Sequence, residues 1–116
     1  MSRTWIVRLT DQAEHDLLAI ATWTTENFGA TQAEHYVETL TQAIESLIDG
    51  PELLGAKARD EIAPGIRTLH AARNGHKARH FVVFRVAEGQ ILEVLRLLHD
   101  SMDLARHLPG EEDLPH

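Results

Sequence analysis

The chain contains no cysteine, which excludes a disulfide framework, a thiolate metal site and a cysteine nucleophile. No apolar run approaches the roughly 20 residues that a membrane helix needs. The first ten residues lack the long apolar core and small-residue cleavage site of a signal peptide. We therefore expect a soluble cytoplasmic protein that does not enter a membrane.

The chain has few basic residues, and they are unevenly placed. Its formal net charge is −7, and residues 1–60 carry ten acidic but only four basic side chains. Between Glu61 and Glu88 there is no acid at all. The basic residues of that stretch are Arg67, Arg73, Lys77, Arg79 and Arg85. Phosphate neutralisation supplies most nucleic-acid affinity, so this balance argues against sequence-specific nucleic-acid binding. It leaves a local basic docking surface or an ordinary solvated face.

A length of 116 residues with 43% hydrophobic residues is enough for one domain and too short for two. We expect a single domain over residues 1–109. The acidic segment 110–116 is predicted to be a flexible tail.

Hydrophobic spacing predicts a helical hairpin after a first short strand at Trp5–Leu9. Apolar residues recur at spacings of three and four on both sides of Gly29, which ends the first helix as a C-cap. Gly50 and Pro51 stop the second helix. So short a link requires two antiparallel helices, and we expect the aromatic residues on their stripes, including Trp23, to lie in the core.

The second half of the chain reads as strands at Ile66–His70, His80–Val86 and Gln90–His99, followed by a short helix at Ser101–Leu108. The segment 51–64 is predicted to be a loop. The last strand is apolar on both faces, which is typical of a central strand. The fold class is therefore α+β: an N-terminal helical hairpin packed on a small, mainly antiparallel four-stranded sheet (β-α-α-β-β-β), with a short C-terminal helix. The long helical segment also permits the first strand to pair in parallel with a later one.

No motif indicates a metal or a cofactor. His76 and His80 have the spacing of a helical zinc pair, but they run from a loop into a strand, where four residues span roughly 13 Å. No acidic ligand lies near them in the sequence, and there is no glycine-rich phosphate loop or nucleophilic serine motif. We expect no metal and no cofactor.

Arg96 and His99 stand out at the end of the last strand. On a regular strand they point to opposite faces, unless a bulge intervenes. An arginine on an apolar face must reach a carboxylate, a carbonyl or water. Arg96 is either a fold residue, with an exposed head or an ion pair to Asp100, Asp103 or the helical hairpin, or a docking point for an anion or a protein.

Four arginines are also candidates to converge on the sheet face that the helices leave uncovered: Arg67, Arg79, Arg85 and Arg96. Cations and a histidine are what a ribonuclease needs for in-line attack. The only tyrosine, Tyr36, falls on the second helix, and the chain has just two lysines. That is a thin set for RNA cleavage.

The span from about Val7 to Leu108 resembles the ParE branch of the RelE/ParE toxins of bacterial type II toxin–antitoxin systems. The segments that carry the resemblance are FGATQAEHYVETLTQAIESL, DGPELLG, GIRTLH, RHFVVFRV and ILEVLRLLHDSMDLARHL. The last is the most specific, because its arginine, leucines, histidine and following Met-Asp segment fall in the family's order. The family's helical hairpin over an antiparallel sheet agrees with the predicted fold.

The resemblance implies a toxin that inhibits DNA gyrase by protein–protein binding, without catalysis, and that a cognate ParD-like antitoxin neutralises in a hetero-oligomer. The alternative is a RelE-like endoribonuclease that cuts mRNA on the ribosome, in which Arg67, Arg96 and His99 would be catalytic. A third possibility is a decayed toxin that only binds antitoxin. The missing C-terminal tyrosine, the few lysines and the acidic balance favour a protein target. The expected target- or antitoxin-binding residues are Arg67, Arg79, Arg85, Arg96 and His99, with an acidic antitoxin segment against the stretch 67–85.

Overall fold

Two helices and five strands make up the computed structural model, which describes residues 4–102. The elements in chain order are β1 (Ile6–Leu9), α1 (Asp11–Phe28), α2 (Ala30–Glu45), a 3-10 turn (Ser46–Asp49), β2 (Ala56–Ala58), β3 (Arg67–His70), β4 (His80–Ala87) and β5 (Ile91–His99). The strands form one sheet in the order β1-β5-β4-β3-β2. β1 pairs with β5 in parallel, and every other neighbouring pair is antiparallel.

The α+β class and the helical hairpin are confirmed, but the prediction of four strands is wrong. The parallel pairing that the sequence permitted for the first strand is the one observed. The extra strand, β2, lies in the segment predicted to be a loop and pairs Ala56 with Leu69 of β3. Its sequence, Ala-Lys-Ala, is only three residues long and has little β propensity, so pairing rather than local preference makes it a strand. Most of the predicted C-terminal helix and the whole of segment 110–116 lie outside the described residues, and residues 101 and 102 form a turn.

Thr10 joins the end of β1 to the start of α1 and to β5. Its hydroxyl oxygen accepts the Ala13 N–H at 3.1 Å as an N-cap, and its hydroxyl donates to the Leu95 carbonyl at 3.0 Å. Its own N–H donates to the Val94 carbonyl at 3.0 Å. One residue thus ends the parallel pairing and starts the helix.

The sheet is buried on both faces. On one face Val82, Phe84 and Leu92 pack with α2 residues such as Leu40. On the other, a smaller cluster of Val83, Leu95 and Leu98 packs under Ile62, Ala63 and Ile66 of the segment before β3. β5 is therefore an interior strand with apolar residues on both faces, as predicted. Within residues 4–102 no helix is long and apolar enough to cross a membrane.

A β-bulge in β5 changes which side chains share a face. Val83 of β4 pairs with Arg96, whereas the next residue, Phe84, pairs with Val94. Leu95 is therefore the extra residue, and the alternation of faces shifts by one position after it. The bulge lies immediately before Arg96, beyond the last β1–β5 pair, Leu9 with Val94. Arg96 thus sits where β5 has lost its parallel neighbour.

Candidate functional site

Arg96 is held by the helical hairpin. Its Nε donates to Asp16 Oδ2 at 2.7 Å and its Nη2 donates to Oδ1 at 3.1 Å. Asp16 lies on the buried face of α1, and its Oδ2 also accepts the backbone N–H of Leu97 at 3.0 Å. The carboxylate therefore takes over the hydrogen bonding of β5 where β1 ends. This is one of the ion pairs that the sequence allowed for Arg96, and it ties β5 to α1. The role of Arg96 in target or antitoxin binding stays a prediction.

Six polar side chains gather at the end of the sheet where β5 finishes, and we call them the polar cluster. Its members are Tyr36, His70, Arg79, His80, His99 and Asp100. The Asp100 carboxylate accepts from Arg79 Nε at 3.1 Å and from Arg79 Nη2 at 3.0 Å, and from His70 Nε2 at 3.0 Å. The hydrogen bonds from Arg79 and then from His70 lower the pKa of Asp100 to about 2.

His80 is the buried member of the polar cluster. Its Nδ1 lies 2.6 Å from the Tyr36 hydroxyl oxygen, which also accepts the backbone N–H of Arg79 at 2.9 Å. Burial first, and then the neighbouring His99 ring at 5.3 Å, lower the pKa of His80 to about 4. Burial likewise raises the pKa of Tyr36. Both side chains are therefore neutral at physiological pH.

His99, the other half of the pair predicted from the sequence, faces the polar cluster from the last residue of β5. Its Nδ1 lies 2.7 Å from Ser101 Oγ and accepts the Ser101 N–H at 3.1 Å. The sequence gives no signal that pairs His80 with His99. They are cross-strand partners in the β4–β5 hairpin, but pairing outward from its turn matches His80 with Leu98, and only the bulge at Leu95 brings His99 opposite His80.

Arg67 and Arg85 line a different region, a cleft of about 300 Å³ that also contains Ile66 and Val86. Arg67 Nε donates to the Pro51 carbonyl at 2.8 Å. Arg85 donates to Glu93 Oε1 from Nε at 3.1 Å and from Nη2 at 3.0 Å.

The four arginines do not converge on one sheet face. By strand alternation Arg67 is on the side of Leu69, in the hairpin-facing core, whereas Arg85 is on the side of Val83, in the opposite cluster. Arg79 is held by an ion pair with Asp100, and Arg96 is held by an ion pair with Asp16. Neither of them lines the cleft that contains Arg67 and Arg85.

Two cations that sequence reasoning did not single out lie in residues 71–79, which we call the basic loop. Lys77 is exposed and lines a shallow cleft of about 570 Å³ together with Tyr36, Ala78 and Arg79. Lys77 makes no ion pair with any described residue. Nε and Nη1 of Arg73 are buried without a hydrogen-bond partner among the described residues. The signal was present in the acid-free stretch from 62 to 87, but a charge run does not show which of its cations are neutralised.

In the described part of the chain there is no group of three or more His, Asp or Glu side chains that could hold a metal ion. The polar cluster is instead linked internally. His70 Nδ1 accepts the Ala72 N–H at 2.9 Å, so the proton is on Nε2, which donates to Asp100.

Comparison with solved structures identifies the fold. The chain matches the structure of the chromosomal ParDE toxin–antitoxin system from P. aeruginosa with a TM-score of 0.69 and 22% identity, over 83% of this chain and 96% of that one. It matches the RelBE2 toxin–antitoxin complex from Mycobacterium tuberculosis with a TM-score of 0.56 and 19% identity, over 83% and 98%. The fold is that of the RelE/ParE toxins.

Sequence comparison gives the family. The model of the ParE toxin of the type II toxin–antitoxin system parDE matches residues 7–104. Toxin ParE1 of Mycobacterium tuberculosis (strain H37Rv) is 34% identical over 86% of this chain and 94% of its own length. Toxin ParE of Escherichia coli is also 34% identical, over 86% and 89%. The chain belongs to the ParE toxin family of type II toxin–antitoxin systems, which confirms the resemblance.

Proposed function

We propose that this toxin acts in the cytoplasm by binding and inhibiting DNA gyrase, and that a cognate ParD-like antitoxin neutralises it. The observation that carries the proposal is the state of the candidate arginines. Arg67, Arg79, Arg85 and Arg96 each form an ion pair with a carboxylate of the same chain. A phosphoryl-transfer site needs cations aimed at the phosphate. Arg79, Arg85 and Arg96 are instead hydrogen-bonded to Glu or Asp side chains, and Arg67 is hydrogen-bonded to the Pro51 carbonyl. The arrangement supports a protein target over a catalysed reaction.

A RelE-like ribonuclease remains the second candidate because the polar cluster brings Tyr36, His80 and His99 together. Histidine and tyrosine are acid–base groups that RNA cleavage uses. However, the Tyr36 hydroxyl already contacts His80 and the Arg79 backbone, and the low pKa of His80 leaves it a poor proton acceptor at neutral pH. Gyrase inhibition is therefore the function that the geometry supports better.

The purified toxin should block supercoiling of relaxed plasmid by gyrase and leave ribosome-bound mRNA intact. The His99→Ala variant should inhibit gyrase as well as the wild type. His99 forms its hydrogen bonds with Ser101, and this proposal assigns it no contact with gyrase. A ribonuclease would give the opposite pattern: mRNA cleavage that His99→Ala abolishes, with normal supercoiling. Adding the antitoxin in equimolar amount should restore supercoiling.

The basic loop is the surface that best fits an acidic antitoxin segment. Lys77 is exposed with no ion-pairing carboxylate among residues 4–102, and Nε and Nη1 of Arg73 have no hydrogen-bond partner there. The neighbouring cleft beside Tyr36 and Ala78 offers apolar surface to such a segment. Disordered segments that fold on binding commonly combine apolar anchors with charge pairing. The proposed contact within the stretch 67–85 is therefore centred on the basic loop.

Changing Lys77 to glutamate should raise the dissociation constant of the toxin–antitoxin complex about tenfold, because attraction to an acidic segment becomes repulsion. Lys57, the chain's other lysine, is exposed on β2 and gives a matched control. Titration calorimetry of Lys77→Glu and Lys57→Glu against the antitoxin measures the difference. Equal effects of the two changes would show that the basic loop is not the contact.

A further inference from the structure

The helical hairpin is acidic throughout. From Asp11 to Glu45 there are seven acidic residues and neither lysine nor arginine. Asp16 is neutralised by Arg96, but no other acid of the hairpin forms an ion pair among the described residues. Neither helix carries a basic residue in its last turn, so the negative end of the α1 dipole is reinforced by Glu26. The hairpin therefore presents a negative potential to solvent.

An aromatic pair is exposed within this acidic surface. Trp23 and Phe28 of α1 are 58% and 63% exposed, and their rings meet edge to face with centroids 5.8 Å apart. The expectation that Trp23 lies in the core is wrong, and neither ring packs against the core clusters. Exposed aromatic residues ringed by polar groups are typical of protein interfaces, where tryptophan often carries a large share of the binding energy.

These features meet where α1 turns into α2. Trp23, Glu26 and Phe28 lie in the last turns of α1, and Glu34 lies in the first turns of α2. We call these four residues the hairpin tip. Gly29, with φ of 93°, makes the tight turn that brings the two helix ends together.

We propose that the hairpin tip is the surface with which this toxin docks on gyrase, at a basic surface that contains an apolar hollow. The proposal rests on the proposed function, because gyrase is the partner. An enzyme that holds DNA must present lysine and arginine to the phosphates, so it offers surfaces complementary to an acidic tip. Glu26 and Glu34 steer the encounter, and the aromatic pair anchors the complex.

Charge also separates the two partners of the toxin. The basic loop suits an acidic antitoxin segment, whereas the hairpin tip would repel one. The tip is accordingly assigned to the target and the loop to the antitoxin. Each surface can then be changed without altering binding at the other.

Two double variants test the docking surface: Trp23→Ala with Phe28→Ala, and Glu26→Lys with Glu34→Lys. Binding to immobilised gyrase is measured by surface plasmon resonance at low and at physiological salt. The aromatic variant should bind at least about tenfold more weakly through faster dissociation. The charge-reversal variant should associate about tenfold more slowly at low salt and lose the salt dependence of the wild type.

Matched controls are Leu54→Ala, at a residue 90% exposed, and Glu88→Lys, in the exposed β4–β5 turn. Neither should change gyrase binding, and all variants should keep wild-type antitoxin affinity and circular dichroism spectra.

Several outcomes would overturn the docking surface. If the wild type binds gyrase and both tip variants bind it equally well, the hairpin tip is not the docking surface. Selective loss of antitoxin affinity in the tip variants would assign the tip to the antitoxin instead. If the wild type sediments as a dimer, and the aromatic variant is a monomer that still binds gyrase, the hairpin tip is a contact between two copies of this chain. If the wild type itself fails to bind or inhibit gyrase, the proposed function fails, and this assignment with it.

Discussion

Replacing Asp16 by alanine lowers the free energy of unfolding by about 3 kcal/mol, the lower end of the range for breaking a buried ion pair. The change removes the partner of Arg96 and also leaves the Leu97 N–H without its acceptor. Both losses fall just after the bulge, where β5 has no neighbouring strand on its β1 side to replace them. Urea unfolding followed by circular dichroism measures the effect.

Three further variants separate the contributions. Asp16→Asn keeps an oxygen for the Leu97 N–H and should lose only part of the stability. Asp16→Leu combined with Arg96→Met removes both charges and should recover much of the loss, because no uncompensated charge stays buried. Glu14→Ala, on the same helix but exposed and without an ion pair among the described residues, should change stability by under about 0.5 kcal/mol. An equal loss in Glu14→Ala and Asp16→Ala would show that the ion pair between Asp16 and Arg96 does not stabilise the fold.

Arg96 shows how far sequence reasoning reaches at a single position. A cation on an apolar strand had to find a carboxylate or water, and the hairpin was one of the candidate partners. The actual partner lies 80 residues earlier, on the buried face of α1 that also carries Ala13. An acid on a buried helix face breaks the apolar pattern that identifies that face, so periodicity gives no signal for it.

The helices and the long strands were predictable because each has a local cause. Capping and glycine signals bound α1 and α2, and long, mainly apolar segments mark β4 and β5. β2 could not be predicted, since three residues become a strand only when β3 supplies a partner. Exposure of Trp23 could not be predicted either. Whether an aromatic residue on a helix is core or surface depends on which layer covers that face, and that is settled only by packing.

The candidate site was predicted less well than the fold, because ion pairing is a long-range property. The sequence identified a stretch without acids and predicted that its arginines would be available. In the structure Arg79 meets Asp100 across strand ends and Arg85 meets Glu93 across the β4–β5 hairpin. Cross-strand pairing from the hairpin turn would have found the second contact. The cations that remain without such partners, Lys77 and Arg73, become visible only after these pairs are counted.

Gly50 gives the second large effect, and it has a cause that the sequence did not show. In the sequence, the Gly50-Pro51 pair indicates only a helix stop. In the structure Gly50 has φ of 100°, and a Cβ atom there would lie 2.8 Å from Nε1 and 3.2 Å from Cδ1 of the Trp5 indole. The backbone N–H of Trp5 donates to the Ile48 carbonyl at 3.0 Å, and the Trp5 ring packs against the core. The indole therefore has little room to move away.

Changing Gly50 to alanine should cost about 4 kcal/mol. About 2 kcal/mol comes from the backbone, because φ of 100° with ψ of 172° is a conformation that is essentially restricted to glycine, and the rest comes from the collision with Trp5. Gly29 is the matched control, because its φ of 93° is similar but an added Cβ would meet nothing within 4 Å. Gly29→Ala should therefore show the conformational cost alone. Urea unfolding of the two variants isolates the contact between β1 and the end of the hairpin, and equal losses would rule that contact out as a source of stability.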